Sequence, residues 1–80
     1  MTESDRPTQS LWTDIVPELQ ARLGLPSVGG QHVRIWSLVL SSQYIIHRVA
    51  GQSRAPAILI PSGEADEAIE QITAFEKENA

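Results

Sequence analysis

The chain has 80 residues, 41% of them hydrophobic and 20% charged, with a formal net charge of −4 and no cysteine. That length makes one domain at most, near the size where a single core leaves only a few kcal/mol of net stability. The lack of cysteine excludes a disulfide framework, a zinc ribbon and a thiol nucleophile, and it suits a reducing compartment.

Residues 1–9 are polar and aperiodic, contain Pro7, and read as a disordered lead-in to a domain over 10–80. From there Trp12, Ile15, Val16, Leu19 and Leu23 line one helical face, and Gly24 supplies a stop. Pro17 opposes a helix that starts far before it, because it lacks an N–H. The competing reading is a short strand at Leu11–Val16 with the helix starting at Pro17. Leu25 to Gly30 is a loop by its turn chemistry. Gln31 to Gln43 then reads as a helix with a broad apolar surface of Val33, Ile35, Trp36, Val39 and Leu40, wide enough to pack between other elements.

Tyr44 to Val49 is rich in β-branched and aromatic residues and predicts a strand. Gly51 to Arg54 supplies the turn, Ala57 to Ile60 the partner strand, and Pro61 its end. Ser62 is placed to cap the last helix, whose first turn carries Glu64, Asp66 and Glu67. Along that helix Ala65, Ala68, Ile69, Ile72 and Phe75 form a stripe, with Phe75 expected to anchor the core. The fold expected is α+β. It has a small antiparallel sheet built on a hairpin over 44–60, room for one further strand, and two to three helices packed on one face.

Charge is distributed unevenly. Residues 1–18 hold Glu3, Asp5, Asp14 and Glu18 against Arg6, whereas residues 19–63 hold Arg22, Arg34, Arg48 and Arg54 and no acid. Residues 64–80 hold six acids against Lys77. Four scattered arginines do not make the clustered basic patch of a nucleic-acid binder, so no nucleic-acid partner is expected. No stretch approaches the roughly 18–20 apolar residues of a membrane span, and Met1 to Pro7 lacks the form of a secretory signal. The chain by itself therefore reads as soluble.

The candidate chemistry is thin. Gly51-Gln52-Ser53-Arg54-Ala55 echoes a nucleophile elbow but lacks its last glycine and joins two strands, so a hairpin turn is the better reading. His32 and His47 are the only histidines, and no acid lies between residues 19 and 63 to orient either in a triad. His47 is expected on the exposed face of the hairpin and His32 in the first turn of its helix. Gly29-Gly30 before a helix could cradle a phosphate, yet no Lys-Ser/Thr follows. No catalytic, cofactor-binding or metal-ligating residue is assigned. Trp12 and Trp36 are expected in the core, and either could instead mark a partner surface. A sheet edge leaves a homodimer open.

Trp36 to Val49 resembles a helix followed by an "S-Q-G-I-P-H-R-V"-like strand. Ile58-Leu59-Ile60-Pro61, the acidic helix and Ala74-Phe75-Glu76-Lys77-Glu78-Asn79 continue the same pattern. Over residues 33–79 the chain resembles the soluble N-terminal domain that precedes the membrane core of some rhomboid-family intramembrane serine proteases. Tyr44 and Ile46 stand where that pattern favours Gly and Pro. The resemblance implies a non-catalytic accessory or regulatory domain at the cytoplasmic face of a membrane, cut just before a linker and a first span. Its partner would be its own transmembrane protease domain, and its arginine-bearing middle would face anionic headgroups at about 1 kcal/mol per Arg. No catalytic residue of that family transfers to this chain. The alternatives are a free-standing small α/β ligand-binding or signal-transducing module and, last, a small hydrolase using Ser53 and His47.

Overall fold

A computed structural model describes residues 11–52 and 54–79. The lead-in 1–9 and Ser53 lie outside the described residues. The elements run β1 (Trp12–Asp14), α1 (Val16–Leu23), α2 (Gly30–Ser42), β2 (Arg48–Gln52), β3 (Ala55–Pro61) and α3 (Ala65–Glu78), with a 3-10 turn at Ser62–Glu64 before the last helix. The sheet is antiparallel with strand order β1-β3-β2, and the fold is α+β.

Residues 12–14 form a strand, which corrects the expected helix from Trp12 and favours the competing reading. A helix over Trp12–Leu23 would place Pro17 in its second turn, with the ring against a carbonyl one turn earlier. Starting the helix at Val16 removes that conflict, because Pro17 then falls where the N–H has no helical partner. Asp14 fixes the junction: its Oδ1 accepts the N–H groups of Val16 and Ile58, each at 3.1 Å. One carboxylate thus ties the start of α1 to the central strand. Trp12 follows the strand out of the core. It is 38% exposed, and the Arg48 guanidinium sits 5.1 Å from its ring centroid.

Helix α1 ends as expected at Gly24, whose φ of 67° is left-handed. The Gly24 N–H reaches the Ala21 carbonyl and the Leu25 N–H the Gln20 carbonyl, the paired bonds of a Schellman stop. Helix α2 ends with the same pair of bonds, Tyr44 N–H to Ser41 and Ile45 N–H to Leu40, but here the left-handed residue is Tyr44, with φ 60°. Ile45 and Leu40 are both buried, which supplies the apolar contact that accompanies this motif.

Because α2 stops this way, Tyr44 to His47 is not strand. The expected strand at 44–49 begins only at Arg48, and the hairpin spans 48–61 rather than 44–60. Its register runs Arg48↔Leu59, Val49↔Ile58, Ala50↔Ala57, Gly51↔Pro56 and Gln52↔Ala55. Gly51, at φ 82°, is required there: a Cβ would run into the Ala55 carbonyl oxygen.

The core lies between one sheet face and the helices. Ile58 and Ile60 alternate inward from β3 and meet Ile15 and Leu19, Trp36 and Leu40 of α2, and Ile69 and Ile72 of α3. Trp36 is fully buried, as expected, and its Nε1–H donates to Glu76 Oε2 of α3 at 2.8 Å. Phe75 is only half-buried and lies outside the buried cluster, a correction to its expected anchoring role. Helix α3 begins later than expected, at Ala65, and Ser62 Oγ lies 2.8 Å from Thr13 Oγ1 rather than capping α3.

Candidate functional site

The helix α2, its left-handed exit and β2 place the chain's most chemically capable side chains together. His47 leaves the exit loop, and its Nε2 lies 2.6 Å from Ser37 Oγ, in the third turn of α2. Its Nδ1 lies 3.0 Å from the Ile45 carbonyl oxygen. A carbonyl can only accept, so Nδ1 carries a proton, and in the neutral imidazole Nε2 accepts from the Ser37 hydroxyl. A serine, a histidine and an orienting acceptor are therefore aligned, which the sequence had not indicated.

The rest of a hydrolytic site does not follow. Ser37 is interior to α2, where backbone N–H groups are committed to carbonyls one turn back, so the helix offers none to a developing oxyanion. The orienting group is a neutral carbonyl rather than an acid. The pair fastens the 43–47 exit to α2. Among the described residues, no group of three or more His, Asp or Glu side chains could hold a metal.

The other expected positions scatter. His32 is in the first turn of α2, as expected, and its Nδ1 accepts the Gly29 N–H at 3.2 Å while its ring lies 5.5 Å from that of Trp36. That histidine caps the helix and is spent there. Ser53, the nucleophile of the hydrolase reading, lies outside the described residues. His47 is half-buried against α2 rather than on an open hairpin face.

What α2 and β2 do build is a groove of about 400 Å³. Arg34, Ser37 and Leu38 of α2 form one wall, Val49, Ala50 and Gln52 of β2 the other. A second groove of about 430 Å³ runs between α2 and α3 past Ile35, Leu38 and the half-buried Phe75. Leu38, 66% exposed, is the ridge between them, and Tyr44 and Ile46 stand out beyond the α2 exit at 93% and 67%. The broad apolar surface expected for α2 is thus split: Val33, Trp36 and Leu40 face the core, Ile35 and Leu38 face out. Such exposure suits contact with another surface rather than small-molecule chemistry. Among the described residues no helix is long and apolar enough to cross a membrane. No protein-family model, curated protein or solved structure matches the chain.

Proposed function

We propose that this chain is a non-catalytic accessory domain of a rhomboid-like intramembrane serine protease, acting by contact rather than by chemistry. The observation that carries the reading is Tyr44. The resembling pattern favours Gly at this position, and here the backbone takes the left-handed conformation that Gly adopts at least cost. At this position the departure from the pattern is therefore one of side chain and not of backbone. Helix, exit, hairpin, Pro61 and acidic helix also follow one another in the order of that pattern.

The exposed Leu38, Tyr44 and Ile46 are what a domain docking on a larger partner presents, and the Ser37–His47 pair lacks the donors that acyl transfer needs. The alternative of a free-standing ligand-binding module is favoured by one feature, the α2–β2 groove.

The test uses the full gene product in proteoliposomes with a transmembrane reporter substrate. Deleting residues 11–79 should change the cleavage rate without abolishing it, and Ser37→Ala or His47→Gln should leave it at the wild-type value. A gene product with no proteolytic activity, or activity lost with Ser37→Ala alone in a folded protein, would overturn the reading.

A further inference from the structure

We propose that the groove between α2 and β2 binds an extended acidic segment of another protein, which adds to β2 as a fourth strand and sets a carboxylate against Arg34. Three features lead there. Strand β2 is an edge: the order is β1-β3-β2, and among the described residues β2 pairs only with β3. Alternate N–H and C=O groups of an antiparallel edge strand point away from its one neighbour and can pair with another chain. Natural edges are blunted by lysine, proline or a bulge. Arg48–Gln52 has no lysine or proline, its one charge is stacked on Trp12, and all five residues keep register with β3.

The second feature is room. Helix α2 packs on β3 and α3 and stands off from β2, leaving the 400 Å³ groove beside the free edge. Leu38 and Val49, at 66% and 52% exposure, offer apolar surface to alternate side chains of an added strand.

The third feature is charge. Among the described residues Arg34 is the only charged residue lining the groove, and none of them forms an ion pair with it. A guanidinium set in an apolar wall selects a carboxylate, with two parallel N–H donors to two oxygens. The partner's chemistry is thereby specified: an extended segment whose side chains toward α2, at alternate positions, are apolar with a carboxylate among them. This inference goes beyond the accessory-domain reading and does not depend on it.

The test is an amide chemical-shift titration of the whole chain with two capped seven-residue peptides, threonine at the odd positions, valine at the second and sixth, and glutamate in one or lysine in the other at the fourth, so that valines and charge share one strand face. The glutamate peptide should shift the amides of Ala50, Gly51 and Gln52 saturably and bind about tenfold or more tightly than the lysine peptide. Arg34→Glu should reverse that preference, and the milder Arg34→Gln should erase it. Methylating alternate peptide nitrogens, with the charge unchanged, should weaken binding about tenfold. Equal response to both peptides would overturn the proposal, as would shifts confined to α1 or α3. Undiminished binding of the methylated peptide would do so too, since charge alone would then hold the ligand. Concentration-dependent shifts at β2 without peptide would assign the edge to a second copy of the chain instead.

Discussion

Tyr44 holds a backbone conformation that glycine would hold at lower cost. For an L-residue with a Cβ the left-handed region costs roughly 1–2 kcal/mol, part of which glycine gives back through its freer unfolded chain. Tyr44→Gly should therefore raise stability by about 0.5–1 kcal/mol in urea denaturation, because a 93% exposed ring leaves little packing to lose. Destabilisation would show that the tyrosine side chain supports the fold. A second residue with outsized weight is Glu76, whose carboxylate accepts the N–H of the fully buried Trp36. Glu76→Leu strands that donor and should cost about 1–3 kcal/mol, whereas Glu76→Gln keeps an acceptor and should cost less. Equal losses would separate Glu76 from the indole. Neither role was legible beforehand: Glu76 lies 40 positions from Trp36, and no local pattern joins the two.

At the scale of elements, local chemistry predicted most stops and misjudged the starts of α1, β2 and α3. Gly24 as the end of α1, the helix through Trp36 and the apolar β3 follow from periodicity and turn residues. The strand at Trp12–Asp14 was obscured because Trp12, Ile15, Val16 and Leu19 also satisfy helical spacing. Pro17 was the one residue that argued otherwise. Residues 44–47 have strand-like composition, yet Ile45 is drawn into the core by the end of α2 and His47 is held by Ser37. Phe75 fits the stripe of α3 by spacing, but the stripe turns out of the core at its C-terminal end, where only the α2–α3 groove meets it. The hairpin depends on Gly51. Gly51→Ala adds a left-handed strain of about 1–2 kcal/mol and a clash with the Ala55 carbonyl, so it should lower the urea midpoint by at least that equivalent. An unchanged midpoint would contradict the placement of the turn.

For the molecule as a whole, the sequence carried the α+β class because each element's pattern is local, and it carried little of the site because the site is not. Arg34, Ser37, His47 and the β2 edge meet only through the register of the hairpin and the exit angle of α2, neither of which spacing encodes. What emerged is a small domain whose reactive groups are bound to one another and whose exposed surface is apolar along α2 and its exit. That distribution suits a part that works against something larger. The direct measurement is the intact mass of the endogenous gene product, with its partition between membrane and aqueous fractions. A membrane-bound species several times heavier than the 8.8 kDa of this chain is expected, with these residues as one part of it. An 8.8 kDa protein in the aqueous fraction would contradict it.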